Sequence, residues 1–452
     1  MLSKSANGSA SSPAQSGVHP PAESFNTKHM RKVLASSFIG SVIEYYDFLL
    51  YATAAALVFG PVFFSNLSPA VATFASFGTL AVGYLARPLG GALFGHFGDR
   101  VGRKHVLVIS MLTMGIATTC IGLLPPTAKI GVMAPILMVL LRMVQGVAVG
   151  GEWGGAMLVA LEHAPAKRRG FAASFANMGA PVGTMLATLA VSAATLLPDD
   201  DFLTWGWRIP FLLSILLVGV GLVIRLTVTE TPLFQQLEEQ HRTRKLPIWD
   251  VITNYPRNLL LGTLAGISIW STAGMVTVWG VTHVVEAGAD KTGVLNAKAL
   301  AAVGALITVY IGARLSDRFG RRPVMIAGAV AGAVLALPML WLLDLGTVTT
   351  YALAVMLGQL IQGFIFGPFA AFTAELFPTH VRYTGASVAF QTASTIGAGC
   401  TPAIAAGLMV ATGGNITVVA IAWTATFLVS IVAIRIVSEG RTRDLQSDEG
   451  YR

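Results

Sequence analysis

Long apolar runs alternate along the chain with short polar breaks. Between 33 and 437 such runs recur twelve times, at roughly 33–59, 70–97, 105–124, 132–161, 170–197, 207–228, 258–284, 297–316, 323–343, 350–376, 385–410 and 416–437. A helix rises about 1.5 Å per residue, so about 20 apolar residues cross the hydrocarbon core of a bilayer, and each run meets that length. The pattern predicts an all-α membrane protein with twelve transmembrane helices and, the count being even, both termini on one side. Residues 1–30 are rich in Ser, Pro, Ala and Gly, carry no apolar core and read as a disordered tail. No short apolar stretch precedes a cleavage site there, so the first span is expected to stay as an uncleaved insertion signal. The longest break, 229–257, contains the polar, helical-looking "ETPLFQQLEEQHRTRKLP" and reads as a linker. The expected organisation is a tail (1–30), a six-helix half (31–228), the linker (229–257), a second six-helix half (258–437) and a second tail (438–452).

Composition agrees with this class. Only 12% of residues are charged and 54% are hydrophobic, against about 25% charged in a soluble protein. The 48 glycines recur inside the apolar runs, where small residues let membrane helices approach closely. Cys120 and Cys400 lie in apolar runs and offer neither a disulfide framework nor metal-ligand spacing. The sequence holds no GxxxxGK[ST] phosphate loop, no HExxH and no GxSxG elbow. ATP hydrolysis and enzymatic chemistry are therefore not expected, and no cofactor or metal is implied. The net charge of +8 is explained by placement and not by nucleic acid: of 30 Lys and Arg, 24 fall in the tails and even-to-odd loops and only 4, Lys129, Lys291, Lys298 and Arg208, on the opposite side. By the positive-inside rule both termini are expected in the cytoplasm.

An internal repeat supports two halves. "GHFGDRVGRK" (95–104) after the second span is echoed by "ARLSDRFGRR" (313–322) after the eighth, "RMVQGVAVG" (142–150) by "QLIQGFIFG" (359–367), and "EHAPAKRRG" (162–170) by "ELFPTHVRYTG" (375–385). The first of these resembles the loop 2–3 signature of the major facilitator superfamily. Together with "IEYYDFLLY", "QGVAVGGEWGG", "WGWRIPFL", "ETPLF" and "ELFPTHVRYTGAS", the chain from about 30 to 437 resembles the metabolite:proton symporters of that superfamily. That family includes transporters of shikimate, α-ketoglutarate, citrate and proline/betaine. The resemblance implies two pseudo-symmetric halves rocking around a site near mid-membrane, with a small organic acid or zwitterion and a proton as partners, in the cell inner membrane and as a monomer. An exporter or exchanger of the same fold remains open, as does, from another class, a channel or a sensor. One departure is Ala313 and Ser316 where the first half has Gly95 and Gly98, which predicts looser packing there.

Charges inside a hydrocarbon core are costly and are functional candidates by default. Glu44 and Asp47 lie three apart on the first span, with Tyr51 continuing that face, and Arg87 lies about 18 Å by helical rise from Asp99. Arg87, Tyr51, Gln145 and Trp153 are candidate substrate contacts, because a guanidinium offers a carboxylate a planar bidentate fork. Asp47, Glu44, Arg142 and Glu152 are candidates for proton coupling. A carboxylate on Arg87 would then withdraw that cation from Asp47, which would take up a proton. The alternative for all of these is a structural ion pair. Gly95, Asp99, Arg100, Gly102 and Arg103, with Asp317, Arg318, Glu375 and Arg382, are expected to form a cytoplasmic gate. Trp270, Trp279, Tyr310, Gln359, Gln362, Gln391 and Thr392 can also line the site, although packing explains each of them as well.

Overall fold

The computed structural model describes residues 27–226 and 247–441, and these form an almost wholly helical bundle. Its long helices are α1 (Thr27–Leu57), α2 (Pro69–Val101), α3 (Arg103–Leu123), α4 (Met133–Glu162), α5 (Arg169–Ala194), α6 (Phe202–Leu226), α7 (Pro256–Glu286), α8 (Lys291–Phe319), α9 (Arg321–Asp344), α10 (Val348–Ala374), α11 (Thr379–Ala411) and α12 (Ile416–Ile436). Eleven are long and apolar enough to cross a membrane, and α2, seated among them against α4, makes the twelfth. A short helix, Pro247–Asn254, precedes α7. "ETPLF" (230–234) and most of the expected linker lie outside the described residues, as does the N-terminal tail up to 26.

The halves repeat one another in detail. The tight turns between α2 and α3 and between α8 and α9 each hinge on a glycine in left-handed backbone, Gly102 (φ 114°) and Gly320 (φ 103°). Within the first half α2 lies directly on α4, because Gly90, Gly146 and Gly150 leave no room for a Cβ against the facing backbone. In the second half Gly312, Gly363 and Gly367 bring α8 onto α10 in the same way. Between the halves α2 packs on α11 and α5 on α8, the reciprocal contacts of a pseudo-twofold.

Two boundaries depart from the sequence reading, and so does the burial of several charges. Helix α2 runs on to Val101, so Asp99 and Arg100 are helical. Helix α8 begins at Lys291, where Asp290 caps it by accepting from Gly293 N at 2.6 Å, so Lys298 is in the helix and not in a loop. Arg225, Arg321 and Arg382, counted above as loop charges, are 3%, 0% and 0% exposed. The looser packing expected at Ala313 and Ser316 does not occur: both are fully buried, and Ser316 Oγ accepts from Arg321 Nη1 at 3.1 Å.

Candidate functional site

At the end of the bundle formed by the even-to-odd turns, the halves are clamped together. Asp99 on α2 accepts from the backbone N–H groups of Tyr383 (3.1 Å) and Thr384 (2.9 Å) and from the Thr384 hydroxyl (2.8 Å), at the start of α11. Asp317 on α8 does the same at the start of α5, accepting from Gly170 N (3.0 Å) and Phe171 N (2.8 Å). The first N–H groups of a helix have no partner within it and carry the positive end of its dipole, so each carboxylate caps the opposite half. Arg321 joins Asp317 (2.6 Å) to Glu375 (3.1 Å), and Arg382 reaches Glu162 across the interface at 3.4 Å. Gly95 and Gly98 are part of this clamp, since a Cβ at either would strike Thr384 or Tyr383.

Deeper in, the contact continues to mid-bundle. The Tyr383 hydroxyl donates to Gly151 O at 2.6 Å, and Asn177 of α5 donates to Phe366 O of α10. Trp153 stacks on Phe390 with ring centroids 3.5 Å apart and donates its indole N–H to Asn177 at 2.7 Å.

Beyond this floor, toward the opposite end, lies a cavity holding about 850 Å³ of empty space including its open mouth. It is lined from both halves, by Tyr45, Phe48, Tyr84, Arg87 and Thr184 on one side and by Trp270, Thr277, Lys298, Gln359 and Gln362 on the other. Helix α7 widens to a π-helical turn over Gly274–Trp279 where it borders this space, a distortion often found at functional sites. Arg87 is 2% exposed and lies 3.8 Å from the Phe48 ring centroid and 4.9 Å from that of Tyr84. Its Nε, the Tyr45 hydroxyl and the Trp270 indole N–H are buried with no hydrogen-bond partner among the described residues.

Behind Phe48 lies a polar network. Arg142 is within 4.2 Å of the Phe48 centroid and 4.0 Å of the Tyr51 centroid, and donates to Gln145 Oε1 at 2.8 Å. Gln145 donates to Thr118 Oγ1 (2.6 Å), which lies 3.0 Å from Asp47, and the Ser214 hydroxyl donates to the other Asp47 oxygen. Glu152 is paired instead with Arg225 of α6, whose Nη1 donates to it at 2.9 Å, with Ser110 Oγ at 3.1 Å.

The sequence matches the Major Facilitator Superfamily over residues 37–402 and 299–441. The chain belongs to the Major Facilitator Superfamily. It is 40% identical to the inner membrane metabolite transport protein YhjE of Escherichia coli strain K12, covering 92% of this chain and 95% of that protein. It is 38% identical to the shikimate transporter of the same strain, covering 94% and 98%. These relatives place it among the metabolite:proton symporters of the superfamily, and it is a multi-pass membrane transporter and not an enzyme. The fold is shared with the proton:xylose symporter XylE bound to 6-bromo-6-deoxy-D-glucose, at a TM-score of 0.77 and 17% identity over 93% of this chain and 98% of that one.

Against this major facilitator architecture the expected residues divide. Of the four substrate candidates, Arg87 lines the cavity; Tyr51, Gln145 and Trp153 do not. Tyr51 donates to Thr79 at 2.6 Å, Gln145 belongs to the Arg142 network and Trp153 to the interface floor. The expected link between Arg87 and Asp47 is also redrawn: the electrostatic neighbours of Glu44 are Arg87 and Arg225, whereas Asp47 faces Ser214 and Thr118. The Glu44 Oε2 has no hydrogen-bond partner among the described residues. Among the gate residues, Arg100 and Arg318 are exposed, Gly102 is the turn, and the Arg103 side chain lies outside what is described. The second-half residues Trp270, Gln359 and Gln362 line the cavity, and Gln391 spans the interface to Gly150 O at 3.3 Å. Two residues escaped the sequence reading. Lys298 was taken for a loop charge, although an Asp four residues before Val294 already signals a helix start at 290. Arg225 was taken for a linker charge, although it sits within the apolar run 207–228.

Proposed function

We propose that this protein is a proton-driven symporter that imports a small carboxylated metabolite by alternating access. The observation that carries this reading is the buried Arg87, whose Nε has no hydrogen-bond partner among the described residues, in a cavity whose Tyr45 and Trp270 donors also lack partners. A buried cation and unsatisfied donors are costly unless a ligand completes them, and a carboxylate completes all three. The shikimate transporter, a relative by sequence, carries a carboxylic acid by its name. The charge bias supports placing the clamped end at the cytoplasm, with both termini there, and the protein is read as a monomer in the inner membrane. The cavity then faces outward.

Coupling follows from Glu44. Burial disfavours the Glu44 carboxylate, and with the cavity empty Arg87, together with Arg225, offsets part of that cost. A substrate carboxylate on Arg87 takes up that compensation, and Glu44 binds a proton to remain buried. Substrate and proton then support one another's binding, as linkage requires. Asp47, already held by hydroxyl groups, serves the Arg142 network.

The test is uptake by proteoliposomes of a panel of labelled organic acids, shikimate and diacids among them, with and without an imposed proton gradient. Wild type is expected to concentrate substrate only with the gradient. Glu44→Gln is expected to keep exchange and lose accumulation, while Asp47→Asn keeps both. Accumulation by Glu44→Gln would move the coupling proton elsewhere, and gradient-independent uptake would remove symport.

A further inference from the structure

The cavity contains a second cation that a monocarboxylate leaves unanswered. Lys298 stands on α8, in the second half, and lines the same space as Arg87 of the first. These two are the only Lys or Arg among the lining residues, and no Asp or Glu lines the cavity among the described residues. Lys298 is partly buried and makes no hydrogen bond or ion pair among the described residues. On the same face of the cavity Gln359 donates its amide to Gln362 Oε1 at 3.0 Å. The repeat that relates Asp99 to Asp317 relates Arg87 to Ala305, so Lys298 stands seven residues closer to the mouth, about 10 Å along the axis.

We propose that the cavity is built for a dianion, with one acid group on Arg87 and the second, carried several bonds away, on Lys298. This rests on the reading of Arg87 as an anion site. Each half contributes one cation, so the ligand bridges the halves, and closing the mouth over Lys298 is disfavoured until the second acid group neutralises it. A ligand with one acid group leaves the lysine enclosed and uncompensated. Selectivity therefore comes from rejecting the monoanion as much as from attracting the dianion.

Equilibrium binding to the purified full-length protein tests this with malonate, succinate, glutarate and adipate, each compared with its own monoamide, which keeps the shape and removes one charge. Wild type is expected to bind the longer diacids at least tenfold more tightly than their monoamides, with malonate gaining least. Lys298→Gln is expected to reduce that ratio to near one, by weakening diacid binding and strengthening monoamide binding, and the retained monoamide binding also shows that the variant is folded; Lys298→Arg is expected to restore the preference. A wild-type ratio near one, or a preference that survives in Lys298→Gln, overturns the proposal. Arg87→Gln separates the two readings. If it weakens diacid and monoamide alike while Lys298→Gln leaves the ratio intact, the anion site stands and only the dianion fails; if it weakens neither, both fail.

Discussion

The clamp and the cavity are built from the same kinds of side chain, used in opposite ways. At the clamp, Asp99 accepts three hydrogen bonds and Asp317 accepts two backbone N–H groups together with Arg321. In the cavity, Arg87 Nε, the Tyr45 hydroxyl and the Trp270 indole N–H find no protein partner among the described residues. Buried polar groups are normally satisfied, and a cluster that is not calls for a reason. The contrast teaches that burial of charge in a membrane bundle does not by itself mark a binding site. Charges paired across the interface join the halves, and on the proposed reading a ligand completes the partnerless donors of the cavity.

Glu152 gives the sharpest test of that division. Its pairing with Arg225 puts it with the satisfied groups, although its depth in α4 suggested coupling. Glu152→Gln removes the carboxylate paired with Arg225, and breaking a buried pair in this way costs about 3–5 kcal/mol. A lowered unfolding transition is expected in purified protein, with substrate affinity retained in the folded fraction. Unchanged stability with lost proton coupling would return Glu152 to the functional set. A smaller effect is expected at Arg87. Arg87→Lys keeps the charge and loses the fork, so affinity for an organic acid should fall by about 1.5–3 kcal/mol with little change in stability. Equal affinity in titration calorimetry would take Arg87 out of the site.

Much of this was legible in the sequence. Twelve apolar runs gave the helices, and repeated strings such as the two Asp-Arg-x-Gly-Arg turns gave the pseudo-twofold and the clamp, because turn glycines and capping carboxylates act locally and leave a local signature. The cavity was less legible. Whether a residue midway along a span faces the cavity, a neighbouring helix or the other half depends on helix rotation, which periodicity does not fix when every face is apolar. Trp153 and Gln145 therefore read like cavity residues and are interface and network residues. Lys298 and Arg225 were misread for a different reason: each lies close to one end of its apolar run, 297–316 and 207–228, and was counted with the neighbouring loop.

The most direct test measures binding and transport side by side in two variants. In Arg87→Ala, saturable binding of the organic acid to purified protein is expected to disappear, and uptake with it. In Asp99→Asn, the clamp loses part of its capping at α11, about 18 Å by helical rise from Arg87, so affinity is expected to stay within about threefold of wild type, less than 1 kcal/mol, while uptake falls at least tenfold. Wild-type binding in Arg87→Ala, or collapse of binding with normal turnover in Asp99→Asn, would contradict the assignment of the cavity to the ligand and of the clamp to the gate.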